Sequence, residues 1–103
     1  MSRSLKLTDT AEGDLAEIWS YIAEEASETT ATRLVNKIHE TCAKLLAFPL
    51  AHPARPQLGP DLRVTFHGAY AIYYCPGADV VTIIRVLHGA RDVWAIADEG
   101  GFL

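Results

Sequence analysis

The sequence contains few cysteines and no long hydrophobic run. Cys42 and Cys75 are the two cysteines among 103 residues, one within a helical pattern and the other within a strand pattern. In a reducing compartment both are interpreted as small buried hydrophobic side chains rather than as a disulfide or a redox centre. No apolar run approaches the roughly 20 residues that span a bilayer, and the first six residues lack the apolar stretch of a signal peptide. These absences predict one cytoplasmic domain over residues 1–103, with no membrane contact.

Positive charge is also scarce. Nine Lys and Arg residues face thirteen Asp and Glu residues, which gives a net charge of −4. No basic residue lies between Lys6 and Arg33, and the chain after Lys44 contains arginines but no lysine. Because neutralisation of phosphates supplies most of the affinity for a nucleic-acid backbone, this balance predicts that the chain does not bind DNA by itself.

The first half predicts a short strand followed by two amphipathic helices. Leu5 and Leu7 alternate with polar residues, and Thr8 or Asp9 then has the position of a helix N-cap. Ser27 offers a second cap after a very short break, which indicates an antiparallel helical hairpin. The two apolar stripes that must be buried are Ala11, Leu15, Ile18, Trp19, Ile22 and Ala26, then Ala31, Leu34, Val35, Ile38, Cys42, Leu45 and Leu46.

The second half predicts an antiparallel meander after a proline-rich connector. Four prolines between positions 49 and 60 exclude a helix or a central strand there. Three strand patterns follow at 62–67, 70–75 and 80–87, separated by turn residues. Residues 90–97 predict a short helix or an ordered tail anchored by Trp94, and residues 100–103 are expected to fray. The fold class is therefore α+β, with order β-α-α-β-β-β and a helical hairpin packed on a small antiparallel sheet.

This order of motifs resembles the ParE-type toxins of the ParE/RelE toxin–antitoxin superfamily, which are also known as plasmid stabilisation toxins. The similarity extends over essentially the whole chain. The residues that carry it are Leu7-Thr8, Ala11-Glu12, Asp14-Leu15, Glu17-Ile18-Trp19 and Tyr21-Ile22-Ala23, then Phe48-Pro49, Gly59 to Arg63, Tyr70, Ile72 and Tyr74, and the run from Ile84 to Asp92.

The resemblance implies a fold and a function. ParE-like members inhibit DNA gyrase, whereas RelE-like members cut mRNA on the ribosome, and each is held inactive by a cognate antitoxin. For a ParE-like chain, the implied partner is a ParD-like antitoxin with a ribbon-helix-helix DNA-binding part and a tail that wraps the toxin. The first hypothesis is therefore a non-enzymatic toxin that acts on gyrase by binding, without a cofactor, a metal ion or catalytic residues.

Two alternatives stay open at this point. A ribosome-dependent ribonuclease would need a base, an acid and several cations. Arg63, Arg85 and Arg91 could cluster for that purpose around His88 as a general base, with Tyr70 or Tyr74 nearby. The acidic composition disfavours this hypothesis. A non-toxic relative that binds only its antitoxin is the other alternative, since Ala69 and Cys75 stand where family members often carry polar or charged residues.

The candidate residues for target or partner binding are cationic and aromatic side chains of the second half. Each also has a plainer interpretation. Arg63 and Arg85 could pair with Asp61, Asp79 or Asp92, and Arg91 with Asp92 suggests a turn or helix-end pair. The acidic face of the first helix is interpreted as a solvated surface, and His39 with Cys42 as too few ligands for a metal site. An exposed Trp94 would indicate a protein-binding surface. The candidates are Arg63, Tyr70, Tyr74, Arg85, His88, Arg91 and Trp94.

Overall fold

The computed structural model describes residues 3–102 and confirms the predicted order of elements. Its strands and helices are β1 (Ser4–Leu7), α1 (Asp9–Glu25), α2 (Glu28–Lys44), β2 (Arg63–His67), β3 (Tyr70–Pro76), β4 (Val80–His88) and α3 (Val93–Asp98). Of the two alternatives for residues 90–97, the short helix is present as α3. No helix in the described range is both long and apolar enough to cross a membrane.

The sheet has four strands in the order β1-β4-β3-β2. Strands β2, β3 and β4 form the predicted antiparallel meander. Strand β1 adds a fourth member that runs parallel to β4, with Ser4 opposite Val80 and Leu7 opposite Ile83, so the complete sheet is mixed. The first strand of the chain therefore forms one edge of the sheet, beside the last strand.

Polar side chains fix where the two long helices begin. The Thr8 hydroxyl accepts a hydrogen bond from the Ala11 N–H at 3.0 Å and donates one to the Ile84 carbonyl at 2.9 Å. Ser27 caps α2 by accepting from the Thr30 N–H at 3.1 Å. Thr8 is thus both the N-cap of α1 and a direct link from that helix to β4.

The sheet is covered on both faces. The helical hairpin packs on one face, where Leu15 of α1 and Ile38 of α2 meet Ile72, Tyr74 and neighbouring strand residues. The other face is covered by the connector and the C-terminal segment, which contribute Leu58, Leu62, Val93, Ile96 and Phe102. Both clusters draw on β3, which explains why four consecutive residues of that strand, 71–74, are buried.

The proline-rich connector is attached to the sheet at several points. The Val64 N–H donates to the Pro53 carbonyl at 3.1 Å, and the Arg55 N–H donates to the Leu62 carbonyl at 2.7 Å. These bonds occupy part of the outer edge of β2. Because an uncovered edge strand can pair with other chains, the connector also shields this side of the sheet.

The C-terminal segment departs from the expectation of fraying. Phe102 is only 3% exposed, and its ring centroid lies 4.8 Å from that of Tyr73. The Phe102 side chain completes the apolar cluster on the sheet face opposite the helical hairpin, instead of moving freely in solvent. The expectation was wrong for residues 100–102 because local glycines suggested disorder while a distant apolar face fixed the phenylalanine; residue 103 lies outside the described range.

Replacement of Phe102 by Ala is expected to lower the free energy of unfolding by about 3–5 kcal/mol, since a buried phenylalanine is truncated to a methyl group. Urea denaturation followed by circular dichroism measures this change. Phe48→Ala is the matched control because Phe48 is 72% exposed; it should change stability by no more than about 0.5 kcal/mol. Equal effects of the two substitutions would contradict the assignment of Phe102 to the core.

Candidate functional site

An irregularity in β4 determines where its central arginine points. Tyr73 lies opposite Arg85, whereas the next residue of β3, Tyr74, lies opposite Ile83, so Ile84 is an additional residue on β4. A bulge of this kind bends a strand and redirects the side chains that follow it. Beyond the bulge, Arg85 reaches α1.

Arg85 forms a two-point ion pair with Asp14 of α1. Its Nε and Nη2 atoms lie 2.8 Å from Oδ2 and Oδ1 of the carboxylate. Oδ2 also accepts the Val86 N–H at 3.0 Å, and the remaining Nη1 donates to the Gly101 carbonyl at 3.3 Å. Hydrogen bonding to Asp14 raises the pKa of Arg85, so the guanidinium remains charged. The arrangement joins α1, β4 and the C-terminal segment through mostly buried charges.

The partner of Arg85 differs from the sequence-based expectation. Pairing with Asp61, Asp79 or Asp92 was wrong, because the carboxylate comes from the first helix. Asp14 is also buried, unlike the solvated acidic face to which it was assigned. The signal that could have identified it is its spacing: Asp14 is three residues after Ala11 and directly precedes Leu15, which places it at the margin of the buried stripe.

Two other candidates hold the connector in place. Nη1 of Arg63 donates to the carbonyls of His52 at 2.7 Å and Leu50 at 3.2 Å. Tyr74 is fully buried, and its hydroxyl donates to the Pro49 carbonyl at 2.7 Å. Burial raises the pKa of Tyr74. Since the ring and hydroxyl of Tyr74 are enclosed, this residue is inaccessible to a target protein in the folded chain.

Three candidates come together in a groove between α1 and the end of β4. Tyr70, His88 and Arg91 line one side of this groove, which has a volume of about 530 Å³. We call it the α1–β4 groove. Its other lining residues are Asp14, Glu17, Ile18, Tyr21 and Ile22 of α1, with Val86 and Leu87 of β4.

The contacts of His88 limit its chemistry. Its ring stands perpendicular to that of Tyr70 at a centroid distance of 5.4 Å. Nδ1 accepts the Ala90 N–H at 3.1 Å, so the neutral ring carries its proton on Nε2. Neither ring nitrogen then has a free lone pair with which to remove a proton from a substrate. The ring can instead offer an apolar edge and a hydrogen-bond donor to a partner.

The end of β4 leads into a capped turn. Asp92 accepts the Ala95 N–H at 3.1 Å and caps α3, so the expected pairing of Asp92 with Arg91 is replaced by a capping role. Within residues 3–102, the Arg91 guanidinium forms no ion pair. Trp94 lies on α3, outside the groove lining, and is 58% exposed. Arg91 and Trp94 are thus accessible to a partner.

Comparison with protein families identifies the chain. Residues 5–93 match the model of the ParE toxin of the type II toxin–antitoxin system parDE. The chain belongs to the ParE toxin family. It is therefore a toxin of a type II toxin–antitoxin system within the ParE/RelE superfamily, as the resemblance of its motifs implied. A comparison with curated protein sequences gave no match.

Solved structures show the same fold at low sequence identity. A chain of the chromosomal ParDE toxin–antitoxin system from P. aeruginosa superimposes with a TM-score of 0.74 at 21% identity, covering 84% of this chain and 96% of its own. A chain of the RelBE2 toxin–antitoxin complex from Mycobacterium tuberculosis superimposes with a TM-score of 0.64 at 22% identity, covering 85% and 99%. The fold is thus shared by proteins named for both branches of the superfamily.

Replacement of either Asp14 or Arg85 by Ala is expected to lower the free energy of unfolding by about 3–5 kcal/mol, because each leaves a mostly buried charge without its partner. Chemical denaturation of both variants measures the loss. Glu24→Ala removes an exposed carboxylate from the same helix and is the control, expected within about 0.5 kcal/mol of wild type. Wild-type stability of the Arg85 variant would refute a structural role for the pair.

Proposed function

We propose that this ParE-family toxin acts in the cytoplasm by binding and inhibiting DNA gyrase, and that a ParD-like antitoxin neutralises it. The observation that carries the proposal is the use of its arginines. Arg85 is bonded to Asp14, and Arg63 is bonded to connector carbonyls. Both guanidinium groups form hydrogen bonds within the folded chain. Few cations are therefore left for chemistry on a nucleic acid.

Cleavage of RNA would require a different distribution of charge. The scissile phosphate needs cationic groups, and the 2′-hydroxyl needs a base. Arg91 is the remaining arginine beside His88, and Nδ1 of that histidine already accepts a backbone hydrogen bond. With a net charge of −4, the chain also lacks the general attraction that brings a protein to a ribosome. Inhibition by binding is the function that these features favour.

The surface that faces gyrase is proposed to surround the end of β4. Arg91, His88 and Trp94 are exposed within seven consecutive residues, and Tyr70 lies beside them. Arginine and aromatic side chains dominate the binding energy of protein interfaces. We therefore assign target recognition to these four residues and a structural role to Arg63, Tyr74 and Arg85.

An antitoxin partner is supported by the structures that share this fold. One belongs to a ParDE toxin–antitoxin system and the other to a RelBE2 toxin–antitoxin complex. The family model is likewise that of the toxin of a parDE system. We propose that the corresponding antitoxin of this chain is ParD-like.

Expression of the chain alone in a bacterium tests the proposed target. Pulse labelling in the first minutes should show that DNA synthesis stops before RNA or protein synthesis, with induction of a DNA-damage response. Arrest of protein synthesis first would favour the RelE-like ribonuclease instead. Continued growth in the presence of soluble, folded protein would contradict inhibition of that host's gyrase.

Replacement of Arg91 by Ala is expected to raise the concentration needed for half-inhibition of purified gyrase supercoiling about tenfold, which corresponds to about 1.4 kcal/mol of binding energy. Its thermal melting should match that of wild type, because Arg91 is exposed. Arg33→Ala removes an exposed arginine from α2 and serves as the control. If Arg91→Ala inhibits as strongly as the control, the assignment of this surface is wrong.

A further inference from the structure

The chain after β4 is held on the sheet by a single buried side chain. Among residues 89–102, which we call the C-terminal arm, Phe102 alone is buried, and α3 contributes no buried residue. Val93, Ile96 and Ala97 are only partly buried against the same face of the sheet. The attachment of the arm therefore depends on its last described residue.

Phe102 occupies a slot that the sheet and the connector form together. Its ring lies against that of Tyr73, at a centroid distance of 4.8 Å. Gly59 of the connector closes another side, since a Cβ at that position would lie 3.5 Å from the Phe102 Cβ. The slot thus holds an aromatic side chain by shape and by apolar contact. Its other members are side chains of the same cluster, Leu58, Leu62 and Leu87.

A tight turn connects this anchor to α3. The Gly101 N–H donates to the Ile96 carbonyl at 2.8 Å, and the Gly101 carbonyl accepts from Nη1 of Arg85 at 3.3 Å. A Cβ at Gly101 would overlap the Ile96 side chain and lie 2.8 Å from the Ile96 carbonyl oxygen, so the turn requires glycine there. The position of Phe102 therefore fixes the end of α3.

Helix α3 needs such an anchor because it is short. It has six residues, Val93–Asp98, and a helix of that length is not stable on its own in water. The Asp92 cap fixes its beginning, and Trp94, which is 58% exposed, lies in its first turn. The turn that leads to Phe102 holds its other end. The direction in which Trp94 points therefore depends on both attachments.

We propose that Phe102 is a positioning residue for target recognition: docked in its slot, it holds Trp94 in one orientation on the surface assigned to gyrase. This inference rests on the proposed function for the identity of the target. Arg91 is not controlled in the same way, because its N–H donates to the His88 carbonyl at 3.0 Å and this bond ties it to the end of β4. Trp94 and Phe102 both follow residue 93, so the pair lies outside the part of the chain that the family model describes.

Fluorescence anisotropy of Trp94 tests the anchor directly. Trp19 and Trp94 are the two tryptophans of the chain, so a Trp19→Phe background leaves Trp94 as the reporter. In that background Phe102→Ala should lower the anisotropy, since a released arm lets Trp94 turn independently of the domain, and Phe102→Leu should restore most of it. Gly101→Ala should act like Phe102→Ala, although it keeps the phenylalanine. An anisotropy that Phe102→Ala does not change would overturn the anchor.

Inhibition of gyrase supercoiling tests whether the anchor acts through Trp94. Phe102→Ala should raise the concentration needed for half-inhibition about tenfold, because a released tryptophan has to be immobilised on binding. In a Trp94→Ala background the same substitution should add less than about twofold, whereas in an Arg91→Ala background it should keep its full effect. Ile38→Ala is the control for lost stability, since it truncates a buried side chain of the cluster on the opposite face. It should inhibit like wild type at a temperature at which circular dichroism shows every variant to be folded.

The outcomes separate the anchor from the proposed function. A full effect of Phe102→Ala in the Trp94→Ala background, or an equal loss in Ile38→Ala, would show that Phe102 only supports the fold, and the inference would be wrong. A Phe102→Ala variant that frees Trp94 but inhibits gyrase like wild type would overturn it as well. If the wild-type chain does not inhibit gyrase, the proposed function fails and the role in recognition fails with it, while the anisotropy still decides whether Phe102 anchors the arm.

Discussion

The fold depends on one carboxylate in a place where a solvent-facing acid was expected. Asp14 binds the Arg85 guanidinium at two points and accepts the Val86 N–H. The backbone bond matters because β1 ends opposite Ile83, so the following part of β4 has no neighbouring strand on that side. A side chain therefore supplies the acceptor that a strand would otherwise provide, and an orphaned backbone group is avoided.

Several other features follow from this contact. It sets the position of α1 over the sheet, which in turn leaves the second half of the helix beside the open groove. It also directs Arg85 to the Gly101 carbonyl, so the segment that carries Phe102 is drawn over the opposite face. One ion pair thus connects the covered face, the uncovered groove and the C-terminal segment. Arg85, which the sequence suggested as a recognition residue, holds α1, β4 and the C-terminal segment together in this geometry.

Local patterns predicted most of the fold and little of the site. Thr8 and Ser27 were identifiable as caps because capping is decided within four residues, and the strands were identifiable from β-propensity and turns. The parallel pairing of β1, the burial of Phe102 and the partner of Arg85 depend on residues far apart in sequence, which periodicity does not encode. Tyr74 was misleading for the same reason: its aromatic strand pattern is identical whether the ring faces a partner or the Pro49 carbonyl.

The parallel pairing of β1 with β4 has a consequence for synthesis on the ribosome. Ser4 cannot pair with Val80 until β4 has been synthesised. The helical hairpin likewise has no completed sheet to cover before that point. Contacts between such distant residues slow folding, because a long loop has to close before they form. During translation the apolar stripes of α1 and α2 are therefore synthesised before the strands β2, β3 and β4 that bury them.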